Sequence, residues 1–146
     1  MKNIFLAEDD ADDRMFFEDA LKIISTPTQL TLSNNGLELM SNLAVLTSHP
    51  PPDVIFLDLN MPFKNGLECL KEIRETTKLK NIPIAVFSTS FNENSIDATY
   101  SLGANCYVRK PNSHKLLIKT INAVLALNLW EKNNQLSKER FVIAIS

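Results

Sequence analysis

Short, wholly apolar runs alternate along this chain with longer stretches in which apolar residues recur every three or four positions. Residues 4–7 (IFLA) predict a first buried strand. Asp10 or Asp12 then offers a helix N-cap, with acids at the positive end of the helix dipole. Phe16, Phe17, Ala20, Leu21 and Ile24 follow at helical spacing, and Pro27 stops the helix. The alternation in TQLTLS reads as an edge strand. Asn34, Asn35 and Gly36 make a turn before a second helix carried by Leu37, Met40, Leu43, Val45 and Leu46. Pro50 to Pro52 cannot be helical and form a stiff linker. Residues 54–59 (VIFLDL) predict a third strand with one carboxylate, Asp58, near its end. After a loop of turn residues (NMPFKNG), Leu67, Leu70, Ile73 and Cys69 line a third helix. Residues 82–87 (IPIAVF) are a fourth strand, followed by Ser88, Thr89 and Ser90. A helix over 93–102 stops at Gly103. Residues 106–108 are a short strand leading into Arg109, Lys110 and Pro111, and residues 116–130 are a last amphipathic helix.

Five strands alternating with five helices predict an α/β fold, a doubly wound parallel sheet with helices on both faces. The chain has 146 residues, 45% hydrophobic and 22% charged, so one domain with a real core is expected. No apolar run reaches the length of a membrane span, and the N-terminal apolar stretch is too short for a signal peptide. A cytoplasmic protein without a membrane partner is expected. The formal net charge of −2 provides no basic field for direct nucleic-acid binding. Cys69 and Cys106 sit in apolar segments and read as packing. With His49 and His114 isolated, there is no zinc pattern.

Ligands of an open parallel sheet bind beyond the carboxyl ends of its strands. Glu8, Asp9 and Asp10 follow strand one, Asp58 ends strand three, Ser88 and Thr89 follow strand four, and Lys110 follows strand five. Each piece alone has a plainer reading: a solvated helix start, a turn acid, a capping hydroxyl. Together they put acids, a hydroxyl and an ammonium on one rim. Crowded carboxylates repel, and a hard dication such as Mg2+ relieves that conflict. Glu8, Asp9 and Asp58, with the Asn60 carbonyl, form the candidate ligand set. The Ser88 hydroxyl and Lys110 are placed to receive phosphoryl oxygens, and Asp58 to act as nucleophile.

This order of motifs resembles the receiver domain of two-component response regulators. It is carried by IFLAEDD, DVIFLDLNMPFKNG, IPIAVFSTS and GANCYVRKP, from about residue 2 to about residue 129. Ser88 follows Asp58 by 30 residues and Lys110 follows Ser88 by 22, which match the family. The resemblance implies a flavodoxin-like strand order 2-1-3-4-5, with a receiver domain over 1–129 and a C-terminal tail over 130–146. It implies Asp58 as phosphoacceptor, Mg2+ on Glu8, Asp9, Asp58 and Asn60, and Ser88 as the switch hydroxyl. Lys110 becomes the phosphate-contacting lysine, and Tyr107 the aromatic whose rotamer follows phosphorylation. Asn60 and Ser90 tune dephosphorylation, and the Lys110–Pro111 bond is expected to be cis. The implied protein is not an enzyme in the ordinary sense. It promotes its own phosphorylation and dephosphorylation, takes its phosphoryl group from a sensor histidine kinase and acts on a downstream protein target. Too few residues follow the last helix for a DNA-binding output domain, so a stand-alone regulator is expected. The ED start, LDLNMP and GANCY are similar to small regulators paired with bacterial phytochrome kinases.

The chain departs from the family in having Glu8 where many members carry Asp, Ser88 in place of the commoner Thr, and a longer, proline-bearing segment before strand three. Three other readings compete. A pseudo-receiver would bind partners without phosphorylation. A flavodoxin-like cofactor binder would need a hydroxyl- and glycine-rich loop where Glu8, Asp9 and Asp10 stand. A phosphatase of the haloacid dehalogenase type would need an acid where Asn60 stands. The apolar end, residues 141–145 (FVIAI), is read either as covering a groove or a homodimer partner, or as a loose or locally packed terminus.

Overall fold

Apolar runs flanked by polar turns become strands because a parallel strand is covered on both faces. The computed structural model describes residues 1–45, 50–132 and 135–143. Leu46, His49, Ala144 and Ile145 lie outside them. Strands β1 (Lys2–Ala7), β2 (Thr28–Ser33), β3 (Val54–Leu57), β4 (Ile84–Ser88) and β5 (Cys106–Arg109) alternate with α1 (Ala11–Ile23), α2 (Gly36–Ala44), α3 (Gly66–Glu75), α4 (Glu93–Ser101) and α5 (His114–Ala126). The sheet runs β2-β1-β3-β4-β5, all parallel, in the order that the family resemblance implies. Helix starts obey their caps: the side chains of Asp10, Asn35, Asn65, Asn92 and Ser113 each accept a backbone amide of the first turn. Asn65 and Glu68 form a reciprocal capping box.

Two apolar layers result. Ile55, Leu57, Leu39, Leu70, Ile73 and Tyr107 fill one face, while Phe17, Phe56, Phe87, Val108 and Ile121 fill the other. On the second face, Phe17, Phe56 and Phe87 meet edge to face with centroids 5.1–6.0 Å apart.

The C-terminal part differs from the sequence expectation. The last helix does not run through to Trp130. Asn128 adopts a left-handed backbone (φ 49°), and a separate single turn, α6 (Leu129–Lys132), follows. The helical periodicity continues through this break, so only tertiary contacts reveal it; one is the Trp130 indole donating to the Pro52 carbonyl at 2.8 Å. The described residues beyond it, 135–143, are part of the fold. β6 (Val142–Ile143) pairs in parallel with β5 and makes a sixth strand. The Tyr107 amide donates to the Phe141 carbonyl at 2.9 Å. The Phe141 ring is fully buried, 5.1 Å from Tyr100 and 6.3 Å from Tyr107. The Gln135 amide donates to the carbonyls of Tyr100 (2.6 Å) and Ala104 (2.8 Å). Residues 141–143 of the apolar end thus pack on their own chain. The expected cis bond before Pro111 is trans, and no cis peptide occurs among the described residues.

Candidate functional site

Strand register decides which polar residues meet. Ala7 and Leu57 are paired across β1 and β3. The next residues, Glu8 and Asp58, therefore emerge side by side, and the Asp58 amide donates to the Ala7 carbonyl at 3.1 Å. On the other side, Ser88 is paired with Arg109, and the Lys110 amide donates to the Ser88 carbonyl at 3.0 Å. The strand ends thereby bring Glu8, Asp58, Ser88 and Lys110 to one rim, with Asp9 at the start of the β1–α1 loop.

Carboxylate oxygens of Glu8, Asp9 and Asp58 lie within 4.8 Å of one another. Glu8 and Asp58 are buried, at 1% and 4% exposure, while Asp9 is exposed. Lys110 Nζ forms an ion pair with Glu8 Oε1 and lies 3.4 Å from Asp58 Oδ2. A third acid, Asp13 on α1, reaches Lys110 at 3.2 Å. The Arg14 guanidinium donates to the Glu8 carbonyl at 2.8 Å, tying the first turn of α1 to the end of β1. The sequence reading missed Asp13 and Arg14. Both lie within the EDDADDR run, and helical geometry directs them back over the strand end.

Burial pushes the Glu8 carboxyl up to about 7; the Asp58 charge adds to this, and the hydrogen bond and charge of Lys110 oppose it. Burial alone would lower the Lys110 ammonium, but the hydrogen bond to Glu8 and the charges of Asp58, Glu8 and Asp13 outweigh it and hold the group above its ordinary value. A carboxyl raised in the folded state is stabilising in its protonated form. In the metal-free protein that contribution is complete below about 4.5 and is lost as the pH rises through about 7. Urea titrations of the metal-free chain should therefore show stability falling by about 2 kcal/mol from pH 5 to pH 8. Glu8→Gln should flatten most of that slope; an unchanged slope would remove Glu8 as its source.

The hydroxyl side of the rim is also ordered. The Ser90 amide donates to Ser88 Oγ at 3.1 Å, and the Asn60 side-chain amide donates to Ser90 Oγ at 3.1 Å. The Asn60 amide lies 3.4 Å from Asp58 Oδ1. Tyr107 is fully buried, and its hydroxyl donates to the Ser90 carbonyl. Beneath the rim, Gly66 sits where no side chain fits: a Cβ there would meet the Asp58 carbonyl oxygen at 2.3 Å. The N-terminus of α3 is thus in direct backbone contact with the strand end that carries Asp58.

The donor set suits a hard cation. All three carboxylates offer oxygen, and their mutual repulsion is relieved by positive charge, which Lys110 now supplies. Among the described residues, no helix is long and apolar enough to cross a membrane.

Comparison with known proteins agrees with this geometry. The response regulator receiver domain family matches residues 4–122. The response regulator Rcp1 of Synechocystis sp. is 36% identical over 126 residues, covering 84% of this chain and 86% of that protein. The crystal structure of the Mn2+-bound form of Rcp1 superposes with a TM-score of 0.76 at 35% identity, covering 88% of this chain and 95% of that one. The phosphorylated cyanobacterial phytochrome response regulator RcpA gives a TM-score of 0.79 at 36% identity, covering 88% and 94%. Strand order, rim residues and relatives converge, and the chain belongs to the response regulator receiver domain family, the phosphoryl-accepting modules of two-component signalling.

Proposed function

We propose that Asp58 is the phosphoacceptor of this receiver and that a sensor histidine kinase is its donor. The observation that carries this reading is the convergence of Glu8, Asp9, Asp58 and Lys110 at the carboxyl rim of the sheet. An Asp58 carboxylate oxygen attacks the phosphorus of a phosphohistidine, the P–N bond breaks, and the imidazole leaves with a proton from solvent. Lys110 neutralises charge on the transferred oxygens, and the Ser88 hydroxyl donates a hydrogen bond to one of them. Glu8, Asp9, Asp58 and the Asn60 carbonyl would hold Mg2+, which supplies further charge neutralisation and orientation when bound. Support for a divalent ion comes from the oxygen-only donor set and from the Mn2+-bound relative.

Water attack on the phosphorus of the acyl phosphate later returns the carboxylate and releases phosphate. Asn60 and Ser90, already hydrogen-bonded across the mouth, set how readily water enters. Movement of Ser88 toward the phosphoryl group would disturb its bond from the Ser90 amide. The Ser90 carbonyl holds Tyr107, so the change is passed to α4 and β5, where a downstream protein reads it. The similarity to a phytochrome response regulator points to a kinase of the phytochrome type, acting in the cytoplasm.

Incubating the chain with acetyl phosphate, with and without Mg2+, tests the reading by intact mass. One phosphoryl increment that depends on Mg2+ is expected. No increment under either condition would favour a pseudo-receiver that only binds partners.

A further inference from the structure

Lys110 has one more anionic partner than phosphoryl transfer requires. Its side chain is only 10% exposed, and three carboxylates from three elements surround the ammonium: Glu8 after β1, Asp58 after β3 and Asp13 in the first turn of α1. The Phe87 ring lies 5.9 Å away on a further side. Glu8 and Asp58 belong to the carboxylate triad; Asp13 does not. Its backbone is fixed, since its amide donates to the N-cap Asp10 at 3.0 Å.

A dication on the triad and the Lys110 ammonium are rivals for the same Glu8 and Asp58 oxygens, and they repel each other. If Glu8 and Asp58 were its only partners, the ammonium would either block the cation or be expelled into solvent. We infer that Asp13 is a positioning residue that holds Lys110 at the rim beside Asp58 when a divalent cation takes Glu8. It offers an acceptor on the α1 side, outside the contested oxygens. The inference rests on the reading of Lys110 and Asp58 proposed above.

The test is a double-mutant cycle on the full chain, read by calorimetric titration with Mn2+. With Lys110 present, Asp13→Asn should weaken Mn2+ binding about fivefold, because the released ammonium falls back on Glu8. In the Lys110→Ala background, the same substitution should change affinity less than about twofold. Asp12→Asn removes a neighbouring acid of the same helix turn and should have no effect, whereas Asp13→Glu should keep most of the wild-type affinity. Equal effects of Asp13→Asn in both backgrounds overturn the inference, as does a wild-type chain with no Mn2+ affinity. An additive cycle alongside Asp58 labelling would sink this inference alone. A coupled cycle without labelling would sink the phosphoacceptor reading and leave the cation exchange intact.

Discussion

Asp58→Asn should take no label from acetyl phosphate under conditions in which the wild-type chain is fully labelled. The substitution preserves shape, so the buried end of β3 keeps its packing and the hydrogen bond from its backbone N–H to the Ala7 carbonyl. It removes the negative oxygen that must form the P–O bond, and a carboxamide is a very poor nucleophile at phosphorus. It also removes one of the three carboxylate charges gathered at the rim. Intact mass is the measurement, with peptide mapping to locate any residual label. A phosphoryl increment retained at wild-type yield would mean that another carboxylate accepts the group. Exposed Asp9 would then be the first to examine.

The second large effect lies far from the chemistry. Phe141→Ala should cost about 3–5 kcal/mol in urea unfolding, as large-to-small changes of fully buried aromatics do. The ring occupies a slot between Tyr100 and Tyr107; its loss removes the edge-to-face neighbour of Tyr100 and leaves Tyr107 with Phe91 on its other side. The backbone bond from Tyr107 to the Phe141 carbonyl and the two β6 residues depend on the same anchor. A cost below about 1 kcal/mol would mean that the terminal segment contributes nothing to the core. Since Tyr107 is the proposed reporter of phosphorylation, Phe141→Ala should also loosen its inward position, visible as a change in tyrosine near-ultraviolet dichroism.

Much of this architecture was legible in the sequence, for a definite reason. The strands are buried on both faces, so VIFL and IAVF stand out as unbroken apolar runs. The helices are amphipathic, so their apolar periods show, and Asp10 marks the start of the first. The rim followed from topology, because residues directly after parallel strands must share one edge. What stayed hidden depends on contacts distant in the chain. The break at Asn128 leaves no gap in the apolar period. The two-residue β6 is too short to show alternation, and its pairing is fixed by Phe141 reaching Tyr107. Asp13 looked like one more helix-start acid; only the fold shows that its carboxylate meets an ammonium that is 97 residues away in sequence.

The loop between β3 and α3 is pinned at both ends. Asp58 is fixed in the sheet, and the Gly66 amide returns to the Leu59 carbonyl at 3.0 Å, so residues 60–65 form a nearly closed ring. At its tip, Phe63 is 81% exposed in a left-handed backbone (φ 66°). Such a knob is free to vary in lettering and bulk without tugging on the carboxylate behind it.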